Sequence, residues 1–171
     1  YDVIVDRIDP NGKILEIGSF LGRSTHYLAT SLYNANKLDV TIYCVDTFEG
    51  SSEHANIKLP KNFYNIFRDN LKFFIGRDMV IPIQGRSDNP DILNKFEDEE
   101  IDFIMIDGAH EYDAVKDDII NWYPKLKSNG VMFGDDYSLK SVEVAVKEGL
   151  GECKHRKYGV NQGYEQTWYC S

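Results

Sequence analysis

Four residues late in the chain have the types and spacing to do chemistry: Asp107, His110, Asp135 and Asp136. Asp107 follows the apolar run IDFIMI, and the Asp135-Asp136 pair follows VMFG. A helical pattern separates the two runs, and a strand–helix–strand crossover returns its second strand beside the first. Neighbouring strands lie about 5 Å apart, so these acids can meet at one sheet edge. Carboxylates gathered without a partner repel and raise one another's pKa, and a cation relieves this. All-oxygen ligation favours Mg²⁺, Mn²⁺ or Ca²⁺ over zinc. A solvated turn or a helix cap is the bland alternative for Asp135-Asp136. His110 lies three residues beyond Asp107, and an imidazole, with an ordinary pKa near 6.5, accepts a proton near neutrality. A helix-start cap is its bland alternative.

A second set of polar residues stands earlier. LEIGSFLG brings Glu16, Gly18, Ser19 and Gly22 to the end of a short apolar run. The glycine permits close approach of a ligand to the backbone, and the following helix start offers unpaired N–H groups. A tight strand-to-helix turn has the same signature. Asp46 ends the second apolar run, where an acid typically takes the hydroxyls of an adenosine ribose. Arg86-Ser87-Asp88, beyond the third run, can edge an adenine ring or cap a helix.

These residues need strands and helices to position them, and the chain alternates the two. Strands are expected at 13–18, 39–45, 79–83, 101–106 and 131–134. Pro82 makes the third an edge strand or a short one. A short leading helix precedes the first strand. Helices follow at 23–36 and from about 63, the second showing Phe63, Phe67, Leu71 and Phe74 at helical spacing. Another begins after Ser87 or Asp88 as N-cap, with Pro90 in its first turn. Tyr112, Val115, Ile119, Trp122 and Leu126 mark the next, stopped by Ser128-Asn129-Gly130, and a last helix covers 139–148. The polar stretch 47–62 reads as a loop and candidate lid, with His54 as a possible substrate contact. Tyr112 and Tyr137 flank the acidic residues as candidate substrate contacts, Tyr112 reading equally as a core residue. The tail around Asn161-Gln162-Gly163 reads as a closing antiparallel hairpin. Five β/α units and this hairpin make residues 1–171 a single doubly wound α/β domain, in which ligands bind at the carboxyl ends of the strands.

The 171 residues suffice for one domain with a core. A net charge of −9 argues against nucleic acid or an anionic membrane as partner, and no apolar run is long enough to span a bilayer. Three cysteines are too few for a disulfide framework. Cys44 reads as a buried thiol, while Cys153 and Cys170 flank the tail turn with their pairing left open. A reducing, cytoplasmic setting is the default expectation. The chain begins at Tyr1 rather than Met, which fits either a trimmed chain or one domain of something longer.

LEIGSFLGRST (15–25), VDTFEG (45–50), MIDGAHEYDAVKDDI (105–119) and GVMFGDDY (130–137) together resemble the class I S-adenosylmethionine-dependent methyltransferases. More narrowly they are similar to the metal-dependent sugar O-methyltransferases of the macrocin and mycinamicin type. The resemblance implies a Rossmann-like, mostly parallel seven-stranded sheet ending in a C-terminal antiparallel hairpin. It implies that Glu16, Gly18, Ser19, Asp46, Thr47, Ser87 and Asp107 line the S-adenosyl-L-methionine site. It further implies that Asp107, Asp135 and Asp136 bind Mg²⁺ or Mn²⁺, that His110 is the general base, and that the acceptor is a small molecule or glycan bearing a hydroxyl, such as a vicinal diol. Catechol-type relatives place a lysine where His110 stands, a change within the same role. A homo-oligomer, or fusion to further domains, fits such enzymes. The competing readings are a metal-dependent enzyme of another class, such as a hydroxylase or glycosyltransferase; an NAD-dependent enzyme, which would want G-x-G-x-x-G; and an inactive binding module.

Overall fold

The computed structural model describes residues 1–50, 62–151, 158–159 and 166–171. In chain order the elements are α1 (Asp2–Arg7), β1 (Lys13–Ile17), α2 (Arg23–Asn34), β2 (Thr41–Asp46), α3 (Phe63–Ile75), β3 (Val80–Gln84), α4 (Pro90–Leu93), β4 (Ile101–Ile106), α5 (Tyr112–Trp122), β5 (Leu126–Gly134), α6 (Lys140–Leu150), β6 (Tyr158–Gly159) and β7 (Gln166–Cys170). The strands lie in the order β3-β2-β1-β4-β5-β7-β6. The first five are parallel. β7 runs antiparallel to β5, and β6, two residues long, pairs antiparallel with β7. This is the expected α/β Rossmann-like sheet with a C-terminal antiparallel pair.

Alternation along the strands divides the core into two layers. Ile14, Ile42, Cys44 and Phe103 pack against α1, α2 and α3 on one face. Leu15, Val45, Ile104 and Ile106 pack against α4, α5 and α6 on the other. Nearly every position of the central strands is buried, as parallel strands covered on both sides require. β3 is the sheet edge, where the missing N–H of Pro82 is tolerated.

Three local expectations need correction. The N-cap of α4 is Asn89, whose side chain accepts from Asp91 N, not Ser87 or Asp88. Those two residues are occupied elsewhere, Ser87 by Asp118 and Asp88 by Arg86. The helix before β5 ends at Trp122 and tightens into a 3₁₀ turn over Tyr123–Lys125. Pro124 cannot supply the N–H that another α-helical turn needs. β5 therefore starts at Leu126, and Ser128-Asn129-Gly130 form a register irregularity within it rather than a helix stop. Cys44 is a buried free thiol, as expected. Cys170 is disulfide-bonded, and its partner lies outside the described residues.

Candidate active site

Strand register explains why the chemistry-bearing residues share one edge. Val45 pairs with Ile17, Ile17 with Ile106, and Ile106 with Gly134. The next residues along these strands are Asp46, Gly18, Asp107 and Asp135. They emerge in a row at the carboxyl end of the sheet, on both sides of β1 and β4, where the strand order reverses.

A cleft of about 590 Å³ opens over this row. Gly18, Ser19, Asp46, Thr47, Ser87, Asp107 and His110 all line it. Glu16, Asp135, Asp136, Tyr112 and Tyr137 do not. His54 lies outside the described residues, as does most of the expected lid.

At the centre, Gly18 has φ +87°, and a Cβ there would lie 2.1 Å from the Asp107 carbonyl oxygen. Only glycine tolerates both the conformation and the contact. Its N–H donates to Val45 O at 3.0 Å, and Asp107 N–H donates to Ile17 O at 2.9 Å. The ends of β1, β2 and β4 are thereby tied together. Ser19 is buried beside Glu16, and its hydroxyl makes no hydrogen bond of good geometry in the described structure. A buried hydroxyl costs free energy unless a partner satisfies it, so this cradle suits a polar ligand.

Glu16 sits beneath the cleft, 3% exposed. Burial raises its pKa, and hydrogen bonds from Ser24, Thr25, Ser19 and Cys44 partly offset the rise. Thr25 Oγ1 donates to Glu16 Oε2 and Cys44 Sγ approaches the same oxygen at 3.7 Å. The carboxylate thus anchors the start of α2 from within the sheet. Burial, followed by the Glu16 charge, pushes the Cys44 thiol up as well.

Asp46 accepts from Phe20 N at 2.7 Å and from Phe48 N at 2.6 Å, one bond to each carboxylate oxygen. It staples the loops after β1 and β2 and still lines the cleft. Beside it, Gln84 Nε2 donates to Thr47 O at 3.3 Å. Beyond β3, Ser87 Oγ donates to Asp118 Oδ1 at 2.5 Å, and Trp122 Nε1 donates to Ser87 O at 3.2 Å. Asp118 also lines the cleft. Burial pushes its carboxyl up to about 6. It was not among the residues expected from sequence, although an acid inside the apolar stripe Val115-Ile119-Trp122 was a visible signal.

On the other side of Gly18, His110 Nε2 lies 3.2 Å from Asp136 Oδ2. Ser141 Oγ fixes the backbone by donating to His110 O at 2.7 Å. Asp136 adopts φ +56° and donates its N–H to Asp135 Oδ1 at 2.9 Å. Among the described residues, no group of three His, Cys, Asp or Glu side chains is arranged to hold a metal ion. Asp136 faces the imidazole instead. Even so, Asp107 and Asp135 act on a common point. The Tyr1 phenol, raised first by burial, is raised further by the charges of Glu16, Asp107 and Asp135. Tyr1 Oη approaches Met105 Sδ at 3.5 Å, so the first residue also reaches this region, a position that no spacing argument indicated.

The two tyrosines read as substrate contacts have other surroundings. Tyr137 is 5% exposed and packs in the core with α5 and α6. Its ring is the apolar residue that closes this layer after the acidic turn. Tyr112 Oη donates to Glu148 and accepts from Lys116 Nζ at 2.6 Å, linking α5 to α6.

The fold is that of the α/β Rossmann-like methyltransferases. Residues 15–137 match the family described as Methyltransferase domain, and the chain belongs to that family. The family implies S-adenosylmethionine as the bound donor. Among curated proteins, the chain is 27% identical over 153 residues to the uncharacterized protein y4gI of Sinorhizobium fredii, a match covering 90% of this chain and 16% of that protein. The chain thus spans a small fraction of that relative's length. Among solved structures it is similar to CalS11, a calicheamicin methyltransferase, with a TM-score of 0.74, 16% identity, and coverage of 98% of this chain and 74% of that chain. It is also similar to the O-methyltransferase NovP, with a TM-score of 0.69, 18% identity, and coverage of 99% and 74%. At these identities the likeness is one of fold.

Proposed function

We propose that the chain transfers a methyl group from S-adenosylmethionine to a hydroxyl oxygen of a sugar-bearing acceptor. What supports this is the convergence, in one cleft, of a donor cradle (Gly18, Ser19, Asp46) with Asp107 and His110. In this reading Asp46 takes the ribose hydroxyls, and Ser19, whose hydroxyl makes no hydrogen bond of good geometry, takes part of the donor. Ser87 lies toward the base. His110 stands where an acceptor hydroxyl would approach the methyl, and removes its proton. The oxygen then displaces S-adenosylhomocysteine. The sulfonium supplies its own leaving group, so the protein chiefly positions and deprotonates. Near-attack alignment of donor and acceptor is worth roughly 7–11 kcal/mol.

Asp107, Asp135 and Asp136 are proposed as holders of Mg²⁺ or Mn²⁺. Carboxylate oxygens are the ligands those ions prefer, although these three are not gathered into one cluster as they stand. Such an ion would lower the acceptor hydroxyl's pKa and orient it. The His110–Asp136 contact would join the base to that site. A sugar acceptor is supported by the neighbouring fold of CalS11, described as a TDP-rhamnose 3'-O-methyltransferase. A glycan or nucleotide-sugar acceptor fits this reading. No helix of the described residues is long and apolar enough to cross a membrane.

The test is incubation with isotopically labelled donor, Mg²⁺ and a panel of nucleotide sugars, glycosides and catechols, read by mass spectrometry. A gain of one methyl on a sugar hydroxyl is expected, lost in excess EDTA and in Asp135→Ala, with S-adenosylhomocysteine binding retained in both. Full turnover under EDTA would remove the metal. No binding of S-adenosylhomocysteine would remove the donor, and with it the whole reading.

A further inference from the structure

The donor reading leaves open how the cleft distinguishes one nucleoside base from another. A ribose held by Asp46 at the end of β2 directs its base toward the end of β3, where Gly85, Ser87 and Asp118 line the cleft. Asp118 projects there from α5. It is 5% exposed and interrupts the apolar stripe of Val115, Ile119 and Trp122. A carboxylate in that position costs more than an apolar side chain of similar size, so core packing does not explain it. Its hydrogen bond comes from the Ser87 hydroxyl, 2.5 Å away. The Ser87 backbone is fixed independently by the Trp122 indole at 3.2 Å.

We infer that Asp118 sets the base preference of the donor pocket by committing the Ser87 proton, leaving Ser87 Oγ as a hydrogen-bond acceptor for the 6-amino group of a purine. An ionised carboxylate only accepts, and a hydroxyl has one proton and two lone pairs. With its proton directed at Asp118, Ser87 can present only lone pairs to the cleft. Those match the 6-amino group of adenine. They oppose the 6-oxo group of hypoxanthine, which would set acceptor against acceptor and leave buried polar atoms unpaired. Asp118 is therefore a positioning residue acting through Ser87. The inference rests on the donor reading above.

The experiment is isothermal titration of the purified protein with S-adenosylhomocysteine and with S-inosylhomocysteine, which differ only at the 6-position and N1. The wild-type protein should prefer the adenosyl form by about tenfold or more, the size of one well-made buried hydrogen bond. Asp118→Asn should relax this ratio toward unity, because a carboxamide both donates and accepts and frees Ser87 to reorient. Ser87→Ala should relax it too, so the idea does not depend on one variant folding. A structural role alone would weaken both ligands equally and keep the ratio. Two results would overturn the inference: a wild-type ratio near one, or an unchanged ratio in both variants. A protein that binds neither ligand would overturn it together with the donor reading, whereas tight binding of both alike would overturn the inference alone.

Discussion

At the residue scale, the contact between His110 Nε2 and Asp136 Oδ2 bears on the role of the ring. In the function proposed above, an Nε2–H directed at the carboxylate would orient the ring for His110 to act as the base. His110→Ala should therefore lower kcat by about 10²–10⁴ with little change in S-adenosylhomocysteine affinity. Asp136→Asn should give a smaller loss and alter the pH profile of kcat. Steady-state kinetics across pH, with donor affinity measured in parallel, decides the matter, and an unchanged kcat in His110→Ala would remove the base. Much of this site was legible from residue types at strand ends: Gly18, Ser19, Asp46, Thr47, Ser87, Asp107 and His110 do share a cleft. What spacing could not convey is orientation. Asp46 spends both oxygens on backbone amides, Tyr137 turns into the core, and Asp136 faces an imidazole rather than two other carboxylates. Rotamers and cross-element partners decide these, and sequence periodicity carries neither.

At the element scale, α5 does more than cover the sheet. Its first turn follows the loop bearing His110, and its last residue, Trp122, is fully buried and bonds Ser87 O. One helix thus braces the loop after β4 and the loop after β3. Trp122→Phe keeps most of the ring volume and removes the indole donor. It should cost about 0.5–1.5 kcal/mol of stability, measured by denaturant unfolding, and should weaken S-adenosylhomocysteine binding more than Asp135→Ala does. An unaltered donor affinity would show that the Ser87 loop holds without this brace. The existence and order of the strands and helices followed from periodicity, because long buried elements impose it strongly. The boundaries that differed, at α4 and β5, were settled by competition among several possible caps and breakers. Asn89 captured the cap of α4, and Pro124, not the Asn-Gly pair, ended the preceding helix.

At the scale of the whole molecule, a buried acid makes stability depend on pH. Burial raises the Asp118 pKa from 3.8 to about 6, so folding favours its protonated form. That contribution, about 3 kcal/mol for a shift of this size, is present in full below pH ~4 and is lost as the pH rises through about 6. Asp118→Asn carries no such charge. Relative to the wild-type protein it should therefore gain stability at pH 7.5 and show little gain at pH 4. Paired thermal melts at several pH values give this difference directly. A difference that does not vary with pH would mean that Asp118 titrates as an exposed acid does.

The contact between Gly18 and the Asp107 carbonyl has a consequence for the order of events in a turnover. The two backbones touch without an intervening side chain, and in the function proposed above one belongs to the donor cradle and the other to the acceptor half. Neither can shift alone without losing the contact. If occupancy of one half were felt by the other through this contact, the acceptor would change the affinity for the donor by the same factor that the donor changes the affinity for the acceptor. A sequential kinetic scheme, in which one substrate prepares the place of the second, is the behaviour this junction favours.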